Sequence, residues 1–145
     1  MKNVLFFLVS LLIALPIPAV AADVTVEMLN KSANSKERNV FMPALVQVNP
    51  GDTVTWVSKD RGHNVEFIRG AVPDGVKPFR SALSKDTTYK FTEPGVYVYK
   101  CTPHYGMGMV GVVVVGDSVN LLEVQGKKYP GKAKKRVAEI LDKLS

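Results

Sequence analysis

The chain has 145 residues, of which 46% are hydrophobic and 22% charged, with 11 Gly and 9 Pro, a profile of one globular domain that excludes a mainly disordered chain. The formal net charge of +6 is unevenly placed: Lys127 to Ser145 carries seven basic and two acidic residues, whereas Ala22 to Gly126 holds 11 of each sign. That balance excludes a uniformly cationic nucleic-acid surface.

In chain order, the first segment reads as a secretory signal. Lys2 precedes an apolar run from Val4 to Leu15 broken only by Ser10, and Pro16, Pro18 and Ala19-Val20-Ala21 follow. Small residues thus stand at −3 and −1 of a cut after Ala21, although a cut after Ala22 fits nearly as well. A transmembrane helix needs roughly 20 apolar residues, and here prolines close the run after 12. The expected mature chain, 22–145, is exported to the periplasm and carries no membrane anchor.

From Asp23 to Leu29 apolar residues alternate with polar ones, the period of a half-buried strand, and Asn30 to Asn39 reads as a polar loop. Ala44 to Val48 and Thr53 to Ser58 are strand-like and flank Asn49-Pro50-Gly51-Asp52, a turn tetrad that predicts a hairpin. Asn64 to Ile68 predicts a short strand and Arg69 to Ser84 irregular chain. Strand character returns around Tyr89 and Phe91, then over Val96 to Lys100 after the Glu93-Pro94-Gly95 turn, and in the β-branched run Met109 to Val115. Beyond Asp117 the period changes. Val119 to Val124 reads as a short helix, and Val137, Ile140, Leu141 and Leu144 mark the apolar stripe of an amphipathic helix over Lys132 to Leu144. The fold class expected is an all-β antiparallel sandwich of seven or eight strands with a helical tail over 118–145. Lysines on the other faces of the tail are expected from one apolar stripe packing on the sandwich, so the tail predicts neither a membrane nor a nucleic-acid partner.

The chemistry concentrates in Lys100-Cys101-Thr102-Pro103-His104-Tyr105-Gly106-Met107-Gly108-Met109, where a thiol, an imidazole and two thioethers fall within nine residues. The other histidine of the chain, His63, lies in Gly62-His63-Asn64 beside a different strand end. Taken singly each residue has a plainer reading, because a lone buried cysteine is commonly a small core hydrophobe and histidines fill surfaces and cores. Their joint placement at loop–strand junctions, in a chain bound for an oxidising compartment where a lone thiol is a liability, points to a metal. Two imidazoles and a thiolate with a long axial thioether suit type 1 copper; zinc accepts Cys and His but has little use for a thioether. A Cys/His nucleophile pair lacks an evident orienting acid, so no enzymatic activity is expected.

The Cys-x2-His-x4-Met loop and the upstream His-Asn resemble the cupredoxin family, and Cys101 to Met109 with Gly62-His63-Asn64-Val65 is similar to its pseudoazurin branch. The likeness extends to Met28-Leu29-Asn30-Lys31, Pro50-Gly51-Asp52-Thr53-Val54, Val72-Pro73-Asp74-Gly75 and Pro94-Gly95-Val96-Tyr97. Plastocyanins share the ligand spacing but lack the helical tail. The resemblance implies a Greek-key sandwich of about eight strands and one type 1 copper ion held by His63, Cys101, His104 and Met109, with Met107 at the surface. It also implies that Asn64 ties the two ligand loops together and that its backbone amide bonds the cysteine sulfur.

The protein expected on these grounds is a soluble, monomeric carrier of single electrons, with His104 as the exit, Pro103 and Met107 as apolar contact area and Lys31, Arg61, Arg80 and Lys100 as a basic ring. The resemblance implies redox partners such as a copper nitrite reductase, other denitrification enzymes or c-type cytochromes. A periplasmic copper storage or delivery protein is the alternative on the same ligands; it favours extra Met or His elsewhere, and none clusters there.

Overall fold

The computed structural model describes residues 21–33 and 36–144; of the expected signal segment, 1–21, all but residue 21 lies outside them. Eight strands run in the order β1 (Asp23–Lys31), β2 (Arg38–Met42), β3 (Leu45–Val48), β4 (Thr53–Ser58), β5 (Glu66–Phe67), β6 (Thr87–Lys90), β7 (Gly95–Lys100) and β8 (Val110–Val115). Two helices, α1 (Leu121–Gly126) and α2 (Gly131–Leu141), come after them, the latter extended by a 3₁₀ turn over Asp142–Leu144. One sheet has the order β2-β1-β4-β6 and the other β3-β8-β7-β5.

Alternation on β1 and β4 sends Val26, Met28, Val54 and Trp56 into the space between the sheets, where they meet Phe41, Phe91, Tyr97, Tyr99, Val113 and Val115. The sandwich is mixed rather than purely antiparallel, because β1 pairs parallel with β4 and β3 parallel with β8. These two pairings correct the expected hairpin: β3 and β4 belong to different sheets, and the turn between them carries the chain across the sandwich. Gly51 takes φ 101° there, and the Asp52 carboxylate accepts the backbone N–H groups of Asn49 and Ala22 at 2.8 and 2.7 Å.

The expected loop Asn30 to Asn39 also needs correction, since β1 runs on to Lys31 and β2 begins at Arg38. Strand β2 has only five residues, opens on two polar ones and includes Asn39 at φ 53°, so its sequence carries little periodic signal.

All six residues of β8 are buried. Its inner face joins the core, and its outer face, Val110, Val112 and Val114, packs with Val96 and Val98 beneath Ala133, Val137, Ile140 and Leu141 of α2. The helical tail therefore covers the outer face of the second sheet, which explains why β8 reads as a continuous apolar run.

Candidate metal centre

Topology brings the distant donors together. Strands β5 and β7 are antiparallel neighbours with Glu66 opposite Lys100, so the chain entering β5 and the chain leaving β7 lie at one end of the sandwich. His63 sits on the first of these and Cys101 on the second. His104 and Met109 lie on the link from β7 to β8, which turns through a short 3₁₀ helix over Thr102–His104.

His63 Nδ1 and His104 Nδ1 are 3.1 Å apart, and Cys101 Sγ lies 3.7 and 3.4 Å from them. Among the described residues this trio is the one group of three or more His, Cys, Asp or Glu side chains close enough to hold a metal ion. The opposite edge of the His63 ring, Nε2, is 2.9 Å from Asn30 Oδ1. An amide oxygen only accepts, so Nε2 carries the proton and Nδ1 presents its lone pair to the trio. Asn30 is itself anchored by its backbone N–H, which donates to Asp60 Oδ2 at 2.6 Å.

Electrostatics match this arrangement. His63 and His104 are both held below the ordinary imidazole range, chiefly by burial; at His63 the neighbouring His104 adds to the effect and Asp60 opposes it. Both rings are thus neutral at pH 7, the form that ligates a metal. Burial pushes the Cys101 thiol up, against backbone hydrogen bonds from Asn64 and His104 that pull it down. A raised thiol pKa argues against a free nucleophile, whereas a cation in the site draws the proton off. Two imidazole nitrogens and a sulfur converging on one point fit a soft transition metal.

Buried Asn64 joins the two loops. Its Nδ2 donates to Thr102 Oγ1 at 3.0 Å and to the Ser81 carbonyl at 3.3 Å, and its Oδ1 accepts the Thr102 backbone N–H at 2.8 Å. These bonds meet the expectation that Asn64 ties the two ligand loops together. Met107 is at the surface as expected, 50% exposed, with its sulfur 3.9 Å from Asn39 Nδ2, and Met109 is fully buried in the same core cluster as Cys101.

Residues 26–116 match the family model for copper binding proteins of the plastocyanin/azurin family. The chain is 46% identical over 127 residues to the pseudoazurin of Paracoccus pantotrophus, a match covering 87% of this chain and 86% of that one. It belongs to the pseudoazurins. A putative pseudoazurin of Rhizobium leguminosarum bv. viciae is 43% identical over 135 residues, 92% of this chain and 88% of that one. The crystal structure of native pseudoazurin from Hyphomicrobium denitrificans superposes with a TM-score of 0.82 at 43% identity, covering 86% of this chain and 99% of that chain. As a pseudoazurin the chain is a copper-binding protein of cupredoxin fold.

The basic residues named from the sequence divide into two kinds. Lys31 and Arg61 are exposed, and so is Arg80 despite its pairing with Glu66. Arg80 and Lys100 instead pair with Glu66 at 3.7 and 3.6 Å, Lys100 also lies 4.8 Å over the Tyr105 ring, and Thr102 Oγ1 donates to the same carboxylate at 2.6 Å. Two contributors have no role legible in the sequence. Asn30 lies in the family-like run Met28-Leu29-Asn30-Lys31, but nothing in that run marks an amide that would reach His63. Leu83, 54% exposed, belongs to a loop whose Ser84 N–H donates to the His63 carbonyl at 2.8 Å; its stretch reads only as irregular chain.

Proposed function

We propose that this chain is a periplasmic electron carrier, in which His63, Cys101, His104 and Met109 hold one copper ion and His104 is the port through which electrons pass. Copper bound there supplies a one-electron Cu(I)/Cu(II) couple. The observation that carries the reading is the convergence of two Nδ1 atoms and one Sγ within 3.7 Å at a site fixed by strand ends, Asn30 and Asn64. Donors held this way move little when the charge at their centre changes, so little reorganisation opposes electron transfer.

His63, Cys101 and Met109 are buried, while His104 is partly exposed. Its Nδ1 faces the thiol, so the accessible part of the ring is the far edge. Exposed Pro103 and Met107, on the same link, supply apolar contact area near it, of the small kind that suits a transient redox encounter. Lys31 and Arg61 steer an acidic partner; Arg80 and Lys100, engaged with Glu66, contribute less. The family relationship supports a copper nitrite reductase, another denitrification enzyme or a c-type cytochrome as partner, and the carrier works as a monomer without substrate turnover of its own.

Export with a cut after Ala21 is supported by the contacts of Ala22. Its N–H donates to Asp52 Oδ1 and its carbonyl accepts the Thr53 N–H at 3.0 Å, so Ala22 is tied to the sandwich and a cut just before it keeps both bonds. A cut there leaves an α-ammonium against the Asp52 carboxylate, and the intact mass of the exported protein checks it.

The deciding experiment is redox cycling with metal analysis. Reduction by a mild reductant followed by reoxidation, with one copper retained throughout, supports a carrier; loss of copper on reduction supports the delivery reading and overturns this one.

A further inference from the structure

An amphipathic helix that only shields a sheet needs its apolar face. Helix α2 has that face in Ala133, Val137, Ile140 and Leu141, yet it also makes a set of polar and close backbone contacts that the shielding role does not require. All but one, an ion pair to Glu37, fall on the link between His104 and Met109. The Lys132 N–H donates to the Gly106 carbonyl at 3.0 Å. Gly131 takes φ 51°, and a Cβ on it would stand 2.5 Å from that same oxygen. Gly108 lies so close to Lys132 that a Cβ there would be 3.2 Å from Lys132 Cβ. One turn along the helix, Arg136 Nη1 donates to the Gly108 carbonyl at 3.2 Å while Nη2 pairs with Glu37 Oε1 at 2.6 Å, and the arginine side chain is only 18% exposed.

One guanidinium therefore ties together three separate segments: the connection before β2, the link carrying two donor residues, and the C-terminal helix. The link contains Gly106 and Gly108, whose backbones are conformationally permissive. Its own hydrogen bonds, from the N–H groups of His104, Met107, Gly108 and Met109 to the carbonyls of Cys101, His104, Tyr105 and His104, close turns within the link and do not tie it to α2.

We infer that the first turn of α2 and Arg136 form a clamp that positions the His104–Met109 link, with Arg136 as a positioning residue for the metal site. The fork of the arginine fixes the Gly108 carbonyl, and the closeness of Gly131 to Gly106 seats the helix start on the loop. Tail docking and ligand geometry are thus coupled: a helix lifted from the loop frees both donors that the loop carries. The inference rests on those residues being ligands for its consequence, but the clamp itself is testable in metal-free protein.

The test is amide hydrogen exchange, monitored by NMR, in the full mature chain without metal. Arg136→Met keeps length and packing and removes the donors; Arg136→Lys returns one of them. Exchange at Met107, Gly108, Met109 and Lys132 is expected to be about tenfold faster in Arg136→Met, partly restored in Arg136→Lys, with β1 and β4 unchanged. In copper-loaded Arg136→Met, transfer of the metal to a chelator is expected to be about tenfold faster than in the parent. Exchange within about twofold of the parent at those four amides overturns the clamp, and so does equal acceleration in β1 and β4, which marks Arg136 as general support. Should Arg136→Met not fold, Glu37→Gln loosens the fork from its other side and is read by the same amides. A protein that binds no copper but keeps these exchange patterns refutes the ligand assignment and leaves the clamp standing.

Discussion

Replacing Asn64 by alanine removes three hydrogen bonds at once: two from Nδ2, to Thr102 Oγ1 and the Ser81 carbonyl, and one from the Thr102 N–H to Oδ1. Each is worth about 1 kcal/mol net, and leaving the partly buried Thr102 N–H without its acceptor costs more than the mean. The loss is therefore about 3 kcal/mol. A domain of about 120 residues unfolds with an entropy of about 0.25 kcal/mol/K, so Tm falls by about 12 °C. Because Asn64 lies between His63 and Cys101, the gap in Tm between copper-loaded and metal-free protein also narrows, since binding stabilises only as far as the folded site retains affinity. Scanning calorimetry of both forms measures the two effects. A drop below about 3 °C with an unchanged gap refutes the claim that this amide holds the two ligand loops together.

Other expected outcomes concern single groups. The Asp52 carboxyl is held below the usual carboxylate range by the backbone N–H groups of Asn49 and Ala22, so its contribution is full above the unfolded value of about 3.9 and vanishes as pH falls through the lower folded value. Asp52→Asn accordingly lowers Tm at pH 7 and leaves it unchanged under strongly acid conditions; a gap that persists in acid contradicts the assignment. Asn30→Leu frees the proton-bearing edge of His63 and is expected to weaken copper binding by about 10–100-fold in a competition titration, whereas unchanged affinity removes Asn30 from the site. Lys31→Glu and Arg61→Glu are expected to slow electron transfer to an acidic partner at low ionic strength and to lose that effect in salt. Arg80→Glu should act more weakly, and identical behaviour of all three argues against the distinction drawn from Glu66.

The thiol, the imidazoles and the thioethers are legible in the sequence because their residue types are rare in the chain and the spacing of all but His63 is fixed by one tight loop. The amphipathic tail is legible for a similar reason, since Val137, Ile140 and Leu141 repeat at helical spacing and are the residues that α2 buries. Strand β2 is not, because pairing with β1, opposite Leu29 and Lys31, rather than any periodicity of its own, makes it a strand. The segment at Pro50-Gly51 is the turn its residues indicate, but not the hairpin: local chemistry sets the reversal, whereas which sheet receives each flank is decided by long-range pairing of β3 with β8 and β4 with β1. The roles of Asn30 and Arg136 are not legible for the same cause, as an amide at a strand end and an arginine on a lysine-rich helix acquire them only when distant segments meet.

The central claim is that one copper ion is bound through the Cys101 sulfur at a site already shaped by the fold. Stoichiometric titration of metal-free protein with cupric salt, monitored by visible absorption, tests it directly. Saturation is expected at one equivalent, with an intense sulfur-to-copper charge-transfer band that Cys101→Ser abolishes. A parent protein that stays colourless, or a band that survives loss of the thiol, contradicts it.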